Sequence, residues 1–541
     1  MTKLFEKYFN IFLFTIFIFV GLILYKDYGI SIDEKINRYN GLVNLKYIFD
    51  FFSISLGNIN LFNNVESLNN YTDRYYGAVL EIFNILLIEI FLNKSELNEI
   101  FFLRHLINHL IFITSLFFFY LLCQEIFKNK ILSTFCVLFL YSTPRIFANS
   151  FYNGKDLVFL SFFIIMIYFA FRCLKNLNYR NLFYFSLTFA LASNSRIIVI
   201  YVPLLLIFFI HYEALVKKYN FSYIFKYTFF LILLSSFFLF LTYPYLWENP
   251  FQNFFQILKL FSKFDRWDLK LFYLGEFYEA KKLPWHYLFV LIFVTTPIIV
   301  IISCIGGLLL ILQLIINRFF YMIEKAGVND IWKDYKEKLI FFVFLIIFIP
   351  IFSIFIFDSI IYNGWRHFYF IYPFLVIHCI YFINYLIKKY FKKNYDYLII
   401  LSLSIVFFIN IFSLYYYHPH QNVFFNYSVK NKANNLFEKD YWGLVNYQSL
   451  KKIHNINKDK IYIGVASFTD LNLSKKIFDS KIRENFIVVG QMYDKADFII
   501  NNFQYETNPR YNKKYTIPKN FTKIFEIKRG NIIISEIYKK N

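Results

Sequence analysis

Long apolar runs separated by short charged turns fill the chain from residue 9 to residue 417. A helix needs about 20 predominantly apolar residues to cross a bilayer. The first run, Phe9 to Leu24, follows Lys3 and Lys7, and no small-residue cleavage site comes after it. It is therefore read as a retained first helix rather than a removable signal. Further candidate spans fall at 104–124, 131–148, 157–171, 181–195, 197–212, 227–246, 287–316, 339–357, 367–387 and 397–417, about eleven in all.

Two stretches break this pattern. Residues 25–103 are long and mixed, with one weaker apolar piece, Ala78–Leu92, interrupted by Glu81 and Glu89. Carboxylates near a helix centre cost roughly 2.5 kcal/mol or more each in a bilayer, so this piece is expected to lie in the interface as an amphipathic helix. From His418 onward the long apolar runs stop. Short β-rich pieces, Lys460–Val465, Phe486–Val489 and Asn531–Ile537, alternate there with polar segments, as in a small α/β domain. The expected fold class is an all-α polytopic membrane protein. Its membrane domain occupies residues 1–417, with a loop at 25–103 carrying juxtamembrane helices, and an extramembrane α/β domain occupies residues 418–541.

Composition agrees. Of 541 residues, 58% are hydrophobic and only 17% charged, against about 25% charged in an ordinary soluble domain. The net charge of +21 does not require nucleic acid as a partner, because charge in the turns explains it. Basic residues gather in alternate loops: Lys128 and Lys130; Arg172, Lys175 and Arg180; Lys217, Lys218 and Lys226; and Lys388, Lys389, Lys392 and Lys393. With eleven spans these loops share a side with the N-terminus, and the positive-inside rule makes that side cytoplasmic. The tail domain, with 21 basic and 11 acidic residues, then lies outside, in the periplasm of a bacterial inner membrane and against anionic lipid. The five cysteines stand at no metal-ligand spacing, so neither a disulfide framework nor a structural zinc site is expected.

The same topology sorts the candidate chemistry. Asp33 and Glu34, Arg104, Lys155 and Asp156, Arg196, and Arg366 with His367 all fall on the outer side near the ends of apolar runs. A carboxylate just beyond a membrane helix is partly desolvated and becomes a better base. Ser31 followed by Glu34 is equally a capping-box pattern. An arginine at the rim clamps a phosphate bidentately or anchors the helix at the interface. His105 and His109 share a helix face without an acid signature nearby and read as packing residues.

In order along the chain stand Ile32-Asp33-Glu34, Tyr75-Tyr76-Gly77, Arg104, Ser142-Thr143-Pro144, Lys155-Asp156 and Tyr243-Pro244-Tyr245-Leu246-Trp247. Leu283-Pro284-Trp285-His286-Tyr287, Asn363-Gly364-Trp365-Arg366-His367, His418-Pro419 and Asp440-Tyr441-Trp442-Gly443 follow. Together they resemble the GT-C superfamily, in its protein-mannosyltransferase and aminoarabinose-transferase branch (glycosyltransferase family 39-like). The resemblance covers roughly residues 8–443. It implies transfer of a sugar from a polyprenyl-phosphate donor to an envelope glycan, lipid or protein by a single inverting displacement. It also implies Asp33 as the catalytic base with Glu34 beside it, and Asp156 holding the acceptor, or a metal as in some members. Arg366, with His367, Lys155, Arg196 and Arg104, is then expected at the donor phosphate, and a divalent metal stays open.

The rival reading is a transporter or flippase of lipid-linked glycans. Such folds often carry repeats and Gly- or Pro-broken helices at mid-membrane. This chain has 15 Gly and 11 Pro, no evident repeat, and its polar cluster at one rim. A non-catalytic scaffold is the third reading.

Overall fold

The computed structural model describes residues 2–54, 60–217, 220–262, 270–325, 330–391, 395–504 and 513–541. Lys218, Lys392 and Lys393 of the basic loops lie outside the described residues. Among the described residues, eight helices are long and apolar enough to cross a membrane: Leu97–Phe127, Asp156–Lys175, Ile197–Val216, Phe221–Thr242, Ile298–Glu324, Tyr335–Phe357, Arg366–Tyr390 and Tyr395–Tyr417. A ninth crossing is made if the pair Lys130–Tyr141 and Pro144–Tyr152, bent by 65°, counts as one. The expected eleven is not reached by this measure. The first helix runs Thr2–Leu24, with its side chains described from Asn10 onward, and Tyr179–Ser195 has 17 residues.

The bend in the pair falls where the sequence puts Ser142-Thr143-Pro144. Proline disfavours helix at the residue before it but suits the first turn of the next helix, so one helix ends and another starts in a new direction. Thr143 Oγ1 meets the Tyr372 hydroxyl at 2.8 Å and fixes the corner against a neighbouring span. Helix Asp156–Lys175 is the most enclosed candidate span, with 72% of its apolar window buried. Outer spans instead show large apolar side chains to their surroundings, among them Phe225 (63% exposed), Ile356 (72%) and Phe408 (67%). An aqueous protein does not leave such a belt uncovered, whereas hydrocarbon solvates it. The protein is an integral membrane protein.

At one end of the bundle lie the helix Ile32–Phe51, the short helix Val79–Asn84 continuing as a π-helical turn Ile85–Phe91, and an antiparallel hairpin of β1 (Lys270–Tyr273) and β2 (Glu276–Glu279). The 78–92 piece is not simply laid in the interface. Its two carboxylates face inward and are paired, Glu81 with Arg104 and Glu89 with Arg38.

The tail builds one mixed five-stranded sheet from β3 (Ile461–Val465), β4 (Phe486–Gly490), β5 (Phe498–Asn501), β6 (Phe521–Arg529) and β7 (Ile532–Lys540). The order is β4-β3-β5-β7-β6, with β3 parallel to β4 and β5, and β7 antiparallel to β5 and β6. Helix Val445–Ile456 packs on this sheet. The apolar cluster beneath it joins Leu450, Ile453, Ile463 and Ile500 to Ile30 and Phe101, which belong to the first loop and to a membrane span. The tail therefore shares its core with the bundle.

Candidate functional site

Four charged side chains from distant parts of the chain meet at the start of helix Asp156–Lys175. Arg366 donates through Nη1 to Asp33 Oδ2 at 2.9 Å and to Asp156 Oδ2 at 3.2 Å. Arg196 donates through Nε to Asp156 Oδ1 at 2.7 Å, and its Nη2 reaches the same oxygen. The result is an alternating row, Asp33–Arg366–Asp156–Arg196. Asp156 and Arg366 are buried, at 1% and 5% side-chain exposure, while Asp33 keeps 30%. Burial strengthens each contact and makes pairing obligatory, because an isolated buried charge costs several kcal/mol.

Local sequence sets each member. Ser31 precedes the helix Ile32–Phe51, and its backbone N–H donates to Glu34 Oε2 at 2.7 Å, as the capping-box pattern predicts. Glu34 Oε1 lies 3.0 Å from His105 Nε2, and His105 Nδ1 is 3.2 Å from the Tyr25 carbonyl. The acid pair thus divides. Asp33 faces the cavity, whereas Glu34, 1% exposed, turns into the protein. Glu34 holds structure here, against its expected place beside the base. His105 also departs from expectation, since it has an acid partner. His109 is a packing residue, its ring stacked on Phe151 at 4.1 Å.

Asp156 begins its helix, where a carboxylate also meets the positive end of the helix dipole. Asn153 steadies it, accepting the Asp156 N–H at 2.8 Å and donating to Oδ2 at 3.2 Å. Arg366 follows a turn in which Asn363 and Gly364 have φ of 54° and 79°. Gly364 is the residue that takes this left-handed backbone without a Cβ penalty. Its N–H donates to the Tyr287 hydroxyl (3.1 Å), and Trp365 Nε1 donates to Thr295 Oγ1 (2.7 Å). The Arg366 guanidinium lies 5.5 Å from the Tyr362 ring centre and 4.9 Å from that of Trp442. The Trp442 carbonyl accepts the Ile32 N–H at 3.2 Å, one residue before Asp33.

A cavity of about 710 Å³ opens on Asp33, Arg366 and Arg196 of this row, while Asp156, expected to hold the acceptor, is not among its lining residues. Asp33, Lys155, Arg196, Arg366 and His367 line it together. Lys155 sets its ammonium 3.4 Å from the Tyr76 ring centre, and burial, then the neighbouring Arg196, push its pKa down to about 7. His367 stands edge-on to Tyr362 at 4.8 Å. The other wall is apolar, with Phe162, Ile198, Ile349, Ile354 and Phe357 contributed mainly by spanning helices. One space therefore joins fixed cations to a lane suited to hydrocarbon.

Arg104 is not among the lining residues. It is 2% exposed and paired with Glu81, so it is not available to a lipid phosphate as the sequence reading expected. The physical reason is Glu81, whose charge inside the protein needs a cation. That reading also missed Glu81, Tyr362 and Trp442. Arg104 and Glu81 are opposite charges on adjacent apolar segments, and that was the available signal for their pairing. Among the described residues, no group of three or more His, Cys, Asp or Glu side chains is disposed to hold a metal ion.

Residues 90–240 match the family described as dolichyl-phosphate-mannose-protein mannosyltransferase. The match takes in Lys155, Asp156 and Arg196 but neither Asp33 nor Arg366. A solved structure of ArnT from Cupriavidus metallidurans bound to undecaprenyl phosphate is similar at 9% identity, TM-score 0.43, covering 97% of each chain. No curated protein matches the sequence. The likeness to that family thus covers part of the apolar helical bundle and none of the tail sheet.

Proposed function

We propose that the protein transfers a sugar from a polyprenyl-phosphate donor to an envelope acceptor at the periplasmic face of the inner membrane. The observation that carries this reading is the row Asp33–Arg366–Asp156–Arg196 on a cavity whose other wall is apolar. The lipid chain lies in the apolar lane and its phosphate reaches the cations. With Lys155 protonated, Arg366, Arg196 and Lys155 carry three positive charges against two on Asp33 and Asp156, so the site has one cation in excess for a phosphate diester.

The Asp33–Arg366 contact supports one order of events. Arg366 is engaged by Asp33. An arriving phosphate competes for that guanidinium and leaves the Asp33 carboxylate free to take a proton. The acceptor hydroxyl then loses its proton to Asp33 as its oxygen bonds to the anomeric carbon. The bond from that carbon to the phosphate oxygen breaks, and its electron pair leaves with polyprenyl phosphate. Charge grows on the phosphate, where fixed cations stabilise the transition state more than the ground state. Single displacement inverts the anomeric centre.

The test is purified protein in liposomes carrying radiolabelled polyprenyl-phosphate sugars and membrane extract as acceptor. Release of polyprenyl phosphate by wild type, and its loss in both Asp33→Asn and Arg366→Ala, supports the reading. Movement of intact donor between leaflets without release favours a transporter and removes it.

A further inference from the structure

Beside the cations, the cavity lining also includes side chains of different chemistry. Asn37 and Asn40 stand one and two turns beyond Asp33 on the same face of the helix Ile32–Phe51, and both line the cavity. Glu81 and Asn194 complete this wall. Asn40, Glu81 and Asn194 are only 5%, 6% and 5% exposed. Asn40 is partnered within the protein, donating to the Gly77 carbonyl at 3.4 Å and accepting from Asn44 at 3.0 Å, but a buried polar atom without a partner costs about 1–3 kcal/mol and calls for an explanation. Asn194 donates to the Ala190 carbonyl and to Thr242 Oγ1, yet its Oδ1 has no partner. Glu81 is held through Oε2 by Arg104, whose Nε and Nη1 are themselves unpartnered.

The backbone is built to bring Glu81 here. The short helix Val79–Asn84 crosses the helix Ile32–Phe51 at Gly41, where a Cβ would come within 2.7 Å of the Glu81 Cβ. Only glycine admits that approach, and it places the carboxylate beside Asn40. Burial, opposed by Arg104, raises the Glu81 pKa.

This wall suits neither of the other parts of the donor. Hydrocarbon gains nothing from amides and a carboxylate, and a phosphate is repelled by Glu81. What remains is an uncharged group rich in hydroxyls, which gives protons to a carboxylate and exchanges hydrogen bonds with amides. We propose that Asn37, Asn40, Glu81 and Asn194 form a carbohydrate subsite gripping one neutral sugar ring, with Arg104 as the positioning residue for Glu81. The assignment rests on the transfer reaction proposed above. The ring belongs either to the donor or to the acceptor, and the chemistry of recognition is the same for both.

Binding to the full chain in nanodiscs separates these sources. The probes are bare undecaprenyl phosphate, undecaprenyl phosphate carrying a hexose, and oligosaccharides released from cell envelopes. If the donor's sugar is held, the glycosylated lipid binds about 10-fold or more tighter than the bare lipid, and Glu81→Gln or Asn40→Ala erases that gap without weakening the bare lipid. If the acceptor's sugar is held, both lipids bind alike, and the same variants lose oligosaccharide binding. Asn40→Ala guards against a misfolded Glu81→Gln, since it leaves the Glu81–Arg104 pair intact. The proposal is overturned if the variants weaken the bare lipid as much as the glycosylated one, or if they alter no binding. Arg366→Ala reports separately on the underlying reading: bare lipid that still binds it at full strength removes the phosphate site, whatever Glu81 does.

Discussion

Trp442, in the segment that leads into the tail domain, lays its indole 4.9 Å from the guanidinium carbon of Arg366 while its own carbonyl accepts the Ile32 N–H at 3.2 Å. One residue thus touches the cation and the turn that carries Asp33. A desolvated cation–π contact is worth about 2 kcal/mol. Trp442→Ala is expected to lower kcat/KM for transfer roughly 10- to 30-fold, by the conversion of about 1.4 kcal/mol per tenfold. Trp442→Phe, which keeps an aromatic face, should retain most of the activity. Equal losses in both variants would mean that the ring acts through bulk alone.

Asp33 and Glu34 are neighbours with opposite expected outcomes. Asp33→Asn should cost about 10²–10⁴ in transfer rate with little change in melting temperature, because its side chain is partly exposed and acts on a proton. Glu34→Gln breaks a buried pair with His105 and should cost roughly 3–5 kcal/mol of stability. Thermal unfolding in detergent alongside initial rates distinguishes them, and an inactive but fully stable Glu34→Gln would return Glu34 to the chemistry.

Lys155 gives a pH signature. Its pKa stands near 7 rather than at 10.5, so the side chain loses this charge as pH rises through neutrality. Phosphate needs the ammonium, so binding of bare polyprenyl phosphate should weaken between about pH 6 and pH 8, by up to about tenfold per unit above 7. Lys155→Arg stays charged over that range and should flatten the profile. A wild-type affinity constant across that interval would take Lys155 out of phosphate binding.

Gly364→Ala should act through backbone strain. Space beside the residue is open, with only the Tyr441 hydroxyl at 4.0 Å, but φ is 79°. A left-handed residue costs roughly 1–2 kcal/mol, and relaxing it shifts the turn that aims Arg366. Donor KM should rise more than melting temperature falls, as measured by steady-state kinetics and calorimetry.

What the sequence discloses and what it hides follow different physics. That Asp33, Lys155, Asp156, Arg196 and Arg366 come near one another is legible in part, because each lies near the end of an apolar run, where a charge is expensive. The division of labour between Asp33 and Glu34 is not legible, since adjacent residues on a helix point about 100° apart and only the packed neighbours decide which faces the cavity. Arg104 misleads for the same reason, its partner Glu81 lying 23 residues earlier. The tail strands are readable from alternation, with Ile461–Val465 and Phe486–Gly490 within a residue of their expected bounds. That the tail core borrows Ile30 and Phe101 is a tertiary fact with no local pattern.

The contact between Asp33 and Arg366 joins residues 333 positions apart, and Trp442 comes later still. During synthesis the chain therefore emits Asp33 long before Arg366. A ribosome stalled anywhere before residue 366 leaves a membrane-inserted fragment with neither the guanidinium nor the indole. Such a fragment lacks the residue that joins Asp33 to Asp156. Competence arrives late and all at once, when the final spans close on a loop made at the beginning.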